Sequence, residues 1–507
     1  MPTLLAGLDF GTGRIRAVAV DLKGSIVAEA AEPTPYHFPK PGWAENYPEE
    51  LWRSVCNVLR SLTRQTNGQL IAGLAVASVG EAAVLMGKDG KELGPVIAWY
   101  CNRSLAESRD LREKLGDDYV YSVSGVNINH TFGVSKLMWW RRHHPEVFSR
   151  AHLWLNMADW VVFRLTGEAR TDYTLASRTN ALDVKKLCWS KELLAKIDIN
   201  SSLMAPLIAS GQAVGRVHAH AAGETGLPFG MTVSAGGHDH IISTAAAETD
   251  KPGVLLNSMG TAEVQILMNE TPIFDERFRR YGYQQGIFAI EKPRNYLCCG
   301  LYTSGGAVEW FRRLASGASY EALIEAANTV APGSDGVCFL PQLRGGDQPF
   351  PNPNARAGFI GLSSDSSLGV MFRSLLEGTA MCMRLGIEGM TACDGVTPIK
   401  RFRVIGGSTR NDLWMKIKAS IIGSSIEVTP LTEVTGLSAA ILGGLGSGVF
   451  ANLEEARQSM QEGLGKIRNV EPDPVWSAHY QELYTKVYTS LPSTLAPTHE
   501  ALAHFRR

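Results

Sequence analysis

Leu5–Asp21, LAGLDFGTGRIRAVAVD, is the stretch whose reading decides the fold. Leu4–Phe10 is an apolar run carrying one carboxylate, Asp9, near its end. Gly11-Thr12-Gly13 makes a turn, and Ile15–Asp21 is rich in β-branched residues, so the whole reads as strand, tight turn, strand. Two glycines let the backbone of such a turn approach a ligand closely, with N–H groups free to point at an anion. Thr12 adds a hydroxyl donor, and Asp9 is placed to hold magnesium directly or through water. The stretch is a candidate phosphate-binding hairpin; the alternative is an ordinary hairpin with a glycine turn.

A second hairpin of the same kind follows about 250 residues later. Gly253–Leu267, GVLLNSMGTAEVQIL, runs strand, Gly260-Thr261 turn, strand. The simplest account is two domains of related topology, each offering a phosphate-binding turn, with the boundary near Ala247–Pro252. The expected domains are residues 1–248 and 249–507. A chain of 507 residues is too long for one core in any case.

Composition narrows the function classes. A formal net charge of −1 leaves no basic surplus for nucleic acid or an anionic membrane. Asp9 interrupts the first apolar run, which reads as no signal peptide. The least charged window, Val434–Phe450, contains Gly436, Gly443, Gly444, Gly446 and Gly448, so it reads as a buried helix breaking into a glycine turn, not a membrane span. The eight cysteines form no CxxC pair and suit reduced, buried thiols of a cytoplasmic protein.

Between the hairpins, Ser25–Ala31 reads as a third strand and Pro33–Pro48 as a loop without regular structure. In that loop Trp43 and Glu45 could line a polyhydroxylated ligand, or Trp43 could anchor the loop to the core. Glu49–Arg64 has helical spacing, and Leu70–Ser78 suits a buried strand. Glu81 lies just past its carboxyl end, where α/β sheets put their ligands. Arg103 opens a helical stretch; Thr131–Arg142 and Trp154–Leu165 read as helices. Thr232–His240, TVSAGGHDH, runs from a short strand into Asp239 at the start of a helix, a location that stabilises an ionised carboxylate. His238 and His240 flank it, but adjacent residues of a regular element do not converge on one metal ion. Gly305-Gly306 opens another helix, Leu368–Glu388 is a long one, and the strand Arg401–Gly406 opens through Gly406-Gly407 towards Asn411 and the helix Leu413–Ile422. Val475–Thr489 is the last helix expected, with frayed residues beyond.

These motifs together (LDFGTGRIRAVAVD, PGWAENYPEELW, GGHDH, NSMGTAE, and GGSTRNDLWMKIKASIIGSSIEV with TGLSAAILGG) resemble the FGGY family of carbohydrate kinases, within the sugar kinase, actin and Hsp70 ATPase superfamily. The resemblance runs from about Leu4 to Phe450. It implies an α/β fold of two ribonuclease-H-like (actin-like ATPase) domains with an interdomain active-site cleft. It also implies an enzyme that uses ATP and Mg2+ to phosphorylate a primary hydroxyl of a small carbohydrate: a ketose such as a pentulose, a polyol or a sugar acid. By matching motifs, Asp239 is the expected general base and Asp9 the magnesium residue. Thr12 and Gly13 are expected at the γ-phosphate, and Gly260 and Thr261 at the β- and γ-phosphates. Gly305, Gly306, Gly406, Gly407 and Asn411 are expected around adenosine and the α-phosphate. Trp43, Glu81, Arg103, Thr131 and His240 are expected at the sugar. Where many relatives carry Trp-x-Asp-x-Arg, this chain has Trp99-Tyr100-Cys101-Asn102-Arg103, so a carboxylate is missing from the sugar side. A nucleotide-binding regulatory protein of the same fold is the alternative, opposed by the joint presence of Asp9, Thr12, Asp239 and Thr261. A homodimer is the default expectation for such an enzyme.

Overall fold

The structure, a computed structural model, describes residues 3–431 and 433–505. The opening hairpin forms as β1 (Thr3–Phe10) and β2 (Arg14–Asp21), with Asp9 opposite Arg16, and β3 (Ile26–Pro33) follows antiparallel. The apolar run Leu70–Ser78 is β4 and lies parallel to β1. Nearly all its residues are buried, as a parallel strand covered on both faces requires. With β5 (Ala213–Arg216) and β6 (Thr232–His238) the sheet has the order β5-β6-β4-β1-β2-β3. Helix α1 (Pro48–Gln65) starts with Pro48, Glu49 and Glu50 in its first turn and buries Leu51, Val55, Val58, Leu59 and Leu62. Helices α2 (Gly133–His143) and α3 (Asp239–Ala247) belong to the same half, and α3 grows directly from the end of β6.

The second half repeats this plan. β7 (Val254–Met259), β8 (Glu263–Asn269), β9 (Gln284–Ala289), β10 (Pro293–Leu301), β11 (Arg401–Ile405), β12 (Ile426–Val428) and β13 (Arg468–Val470) form one sheet, ordered β9-β10-β8-β7-β11-β12-β13. β7, β8 and β10 alternate in direction, while β11 and β12 run parallel to β7. Stripped of its flanking strands, the order β10-β8-β7-β11-β12 matches β3-β2-β1-β4-β6 of the first sheet. Both halves therefore carry the ribonuclease-H-like core. In each, the Gly-Thr turn sits at the bend between the first two strands.

The helices of the second half are α4 (Gly305–Leu314), α5 (Leu368–Thr391), α6 (Asp412–Ile422), α7 (Val434–Gly446), α8 (Pro474–Lys486) and α9 (Leu491–Ala503). Two helices join the sheets. α7 comes from the second half of the sequence but lies on β1, β4 and β6 of the first sheet. It also packs on α3, and their apolar residues merge with Leu256, Ile266 and Ile405 of the second sheet into one cluster. The low charge of Val434–Phe450 is thus the signature of a helix buried between two sheets. No helix among the described residues is long and apolar enough to cross a membrane.

Three expectations are corrected. Trp154 and Leu155 lie in a strand, Ala151–Asn156, antiparallel to Ala83–Gly87, and the helix begins only at Met157. A short apolar run fits a buried strand as well as a helix, and here strand pairing decided. Within the Pro-rich loop, Glu45–Asn46 pairs with Val96–Ile97. Beyond Thr489 the chain is helical as α9, because Leu491 and Leu495 pack on the core of the second half.

Candidate active site

The carboxyl ends of the parallel strands β1, β4 and β6 carry Asp9, Glu81 and Asp239 respectively, the edge where such sheets bind ligands. Asp239 is the first residue of α3. Its Oδ1 accepts the His240 backbone N–H at 2.6 Å, and His238 Nδ1 stands 2.9 Å from the same oxygen. Burial works to raise its pKa, but the His240 and His238 imidazoles and these two donors outweigh it, and the carboxyl is held below its ordinary value. Asp9 goes the other way. Burial, then the neighbouring Asp239 and Glu433 carboxylates, push it well above the ordinary range, against the pull of Arg16. Asp9 Oδ1 is buried with no hydrogen-bond partner among the described residues. One carboxylate oxygen without a protein donor, beside a second acidic group, fits magnesium, which takes one or two carboxylates and completes its shell with water and phosphate oxygens. No cluster of three or more His, Cys, Asp and Glu among the described residues is arranged to hold a metal by itself.

The turn after Asp9 is braced on both sides. Thr34 donates its Oγ1–H to the Gly11 carbonyl at 2.8 Å and its N–H to the Gly13 carbonyl at 3.2 Å. Trp99 Nε1 donates to Thr12 Oγ1 at 2.9 Å. Thr12 is half-buried and Gly13 exposed.

Glu81 is buried, and its Oε1 accepts Arg178 Nε at 2.7 Å and Arg178 Nη2. Burial would raise its pKa; Arg178 and His238 lower it below the ordinary value. The Glu81 carbonyl accepts Lys136 Nζ at 2.5 Å, and the same ammonium reaches the Ala98 carbonyl at 3.0 Å. Gly80 leaves the room for this grouping, since a Cβ there would stand 2.7 Å from His238 Nε2 and 2.8 Å from Arg178 Cγ. Thr131 precedes Phe132, whose ring receives the Arg178 guanidinium at 4.7 Å. Its N–H donates to Asn129 Oδ1.

Trp43 and Arg103 form a second group. The Arg103 guanidinium lies 4.2 Å from the Trp43 ring centroid and 5.1 Å from that of Trp139. Its Nη2 donates to Glu45 Oε2 at 2.6 Å and its Nε to Cys101 Sγ at 3.1 Å. Glu45, read from the sequence as an acceptor for ligand hydroxyls, is buried in this ion pair.

In the second half, three glycine-bearing turns meet. Gly305 N–H donates to the Gly260 carbonyl at 3.1 Å and Gly306 N–H to the Thr261 carbonyl at 3.0 Å. A Cβ on Gly305 would stand 2.6 Å from that Gly260 oxygen, so the start of α4 reaches the β7–β8 turn only without a side chain. Gly406 follows β11 beside Met259, and Gly407 is open to solvent. Asn411 caps α6, its Oδ1 accepting Trp414 N–H at 3.0 Å. Beneath the turns Glu263 and Lys418, both fully buried, pair at 2.5 Å, and Glu263 also accepts from Ser304 Oγ at 2.5 Å.

Arg178, Lys136, Glu433 and Arg16 enter these groups without having been singled out in the sequence. Arg178 lies 97 residues from the Glu81 it grips, and no spacing announces that pairing.

The N-terminal domain of the FGGY family of carbohydrate kinases matches residues 4–245, and its C-terminal domain matches residues 255–447. A xylulose kinase of Bacillus subtilis (strain 168) is 27% identical, over 94% of this chain and 96% of its own. An L-fuculokinase of Escherichia coli (strain K12) is 29% identical, over 89% and 94%. The crystal structure of xylulose kinase from Rhodospirillum rubrum superposes with a TM-score of 0.85 at 26% identity, over 98% of this chain and 100% of its own. With both domains matched in order across nearly the whole chain, the protein belongs to the FGGY family of carbohydrate kinases.

Proposed function

We propose that this kinase transfers the γ-phosphoryl group of ATP to a primary hydroxyl of a small polyhydroxylated substrate: a ketose such as a pentulose, a polyol or a sugar acid. The observation that carries this reading is Asp239, an ionised carboxylate at a helix N-terminus, beside Asp9 and the Gly-Thr-Gly turn. As the substrate oxygen attacks the γ-phosphorus in line, its proton passes to the Asp239 carboxylate. The bond between the γ-phosphorus and the bridging oxygen breaks, and its electron pair leaves with ADP. Magnesium bound at Asp9 supplies charge neutralisation on the phosphates. Thr12 and Gly13 hold the γ-phosphate, and Gly260 and Thr261 hold the β- and γ-phosphates. Gly305, Gly306, Gly406, Gly407 and Asn411 surround adenosine and the α-phosphate. Glu81, His240 and Thr131 face the sugar, and Arg103 keeps Trp43 in place beside it. In this scheme residues 1–248 carry the sugar and the base, and residues 249–507 carry most of the nucleotide contacts. Eight free thiols suit a reducing compartment, the cytoplasm.

The test is ADP release from Mg-ATP with a panel of ketopentoses, ketohexoses, polyols and aldonic acids, run on the wild type and on Asp239→Asn. One sugar should respond strongly. Loss of the base should lower its turnover by roughly 10²–10⁴-fold, with ATP binding retained in calorimetry. An Asp239→Asn chain of full activity overturns the assignment of the base.

A further inference from the structure

The two acidic groups assigned to the sugar side, Asp239 and Glu81, are held by one short piece of chain, Asp172–Arg178. Asp172 and Thr174 are almost fully buried. Asp172 Oδ1 caps the turn that follows, accepting Thr174 N–H at 2.7 Å and Leu175 N–H at 3.2 Å, and it also accepts the Thr174 hydroxyl. Its Oδ2 accepts Ser210 Oγ–H at 2.5 Å. With its own proton committed to Asp172, Thr174 Oγ1 turns a lone pair to the His238 N–H, which donates to it at 2.7 Å. His238 is the last residue of β6, and Asp239 is the next. Gly237 permits the approach, since a Cβ there would stand 2.6 Å from Thr174 Oγ1 and 2.7 Å from Asp172 Oδ1. Four residues after Thr174, Arg178 grips the Glu81 carboxylate through two nitrogens.

The same segment is tied to the second half. Ser177 Oγ accepts the Ile287 N–H of β9 at 2.9 Å, and the N–H of Ser210 donates to the Ala289 carbonyl at 2.7 Å. Ala176 packs with Ile287 and Ala289 in one apolar cluster. A shift of β9 would therefore be felt by the residues that aim the base.

We propose that Asp172–Arg178 is the positioning element of the catalytic site. Thr174, polarised by Asp172, fixes the His238 peptide and so aims the Asp239 carboxylate; Arg178 orients Glu81 for the sugar. Neither touches the reacting atoms. The proposal rests on the reading of Asp239 as the base and Glu81 as a sugar contact.

The test uses the full chain with Thr174→Val, Thr174→Ser and Arg178→Lys. Thr174→Val keeps the shape and removes the acceptor. It should speed hydrogen exchange in the peptide covering Thr232–Asp239, read by mass spectrometry. On the sugar found by the ADP-release panel, kcat should fall by roughly 10- to 100-fold, as misplacement of a reacting group does, with both KM values little changed. Thr174→Ser should restore both readouts. Arg178→Lys should raise KM for the sugar and leave KM for ATP alone. Wild-type kcat or wild-type exchange in Thr174→Val overturns the role of Thr174. Equal changes in both KM values in Arg178→Lys overturn that of Arg178. Exchange needs no substrate, so unchanged exchange refutes the positioning claim even for a chain that phosphorylates no sugar tested. Failure to phosphorylate any sugar bears on the proposed function and leaves the exchange readout of the positioning claim intact.

Discussion

Gly7→Ala should loosen the joint between the two halves. Gly7 lies in β1 on the face covered by α7. An added methyl there would stand 2.8 Å from Ala440 N and 2.9 Å from Gly436 C, with the Gly436 carbonyl oxygen closer still. These are backbone atoms of a helix, so no side chain can rotate out of the way. α7 must retreat by roughly 1.5–2 Å to restore ordinary contact at about 3.5–4.0 Å. Overpacking of this kind costs about 1–3 kcal/mol, and with backbone on both sides the upper end applies. That is a large share of a typical stability of about 5–15 kcal/mol. It corresponds to a fall in Tm of roughly 3–6 °C. Asp9 lies two residues on, on the same face of β1, and Glu433 directly precedes α7, so catalytic turnover should fall as well. Differential scanning calorimetry and ADP release measure the two effects. Gly223→Ala is the control: it is helical, has nothing within 4 Å of the added Cβ, and should be neutral or stabilised by about 0.5–1 kcal/mol. A Gly7→Ala protein with wild-type Tm and turnover would refute the claim that α7 lies backbone to backbone on β1.

Two further outcomes follow from the buried charges. Removing either partner of the Arg103–Glu45 pair, whose side chains are 1% and 9% exposed, should cost about 3–5 kcal/mol. The double variant Glu45→Gln, Arg103→Gln should lose much less than the two single losses added; additive losses in chemical denaturation would show that the pair does not act as one unit. Burial pushes the Lys136 ammonium down from 10.5 to about 7. Below pH 7 both folded and unfolded chains hold the proton, and the cost of burying the charge is fully present. Between about 7 and 10.5 only the unfolded chain holds it, so the contribution of Lys136 to stability rises with pH across that window. Relative to Lys136→Met, the wild type should gain about 2 kcal/mol between pH 7 and pH 9. A difference that stays flat with pH would show that Lys136 is not neutralised there.

Local chemistry made the strand ends and turns of the candidate site legible in the sequence. Asp9, Thr12, Gly260, Thr261 and Asp239 each lie where an apolar strand meets a turn or a helix start, and that junction is set by residues adjacent in the chain. The repeat of the Gly-Thr hairpin announced two related halves, and the glycines and low charge of Val434–Phe450 announced a buried helix. The strand at Trp154 escaped, because a short apolar run has no period of its own and takes its form from Ala83–Gly87, its partner. The sequence by itself determined which residues end strands, open helices and turn without a side chain, since those are one-body properties of neighbouring residues. Only the tertiary structure decided which sheet α7 lies on, that Glu45 joins Cys101 in binding Arg103, that Arg178 and Lys136 bind Glu81, and that Thr174 accepts the His238 N–H. Those are two-body interactions across many tens of residues. Burial and pairing decide them, and both exist only once the two sheets have closed on the helices between them.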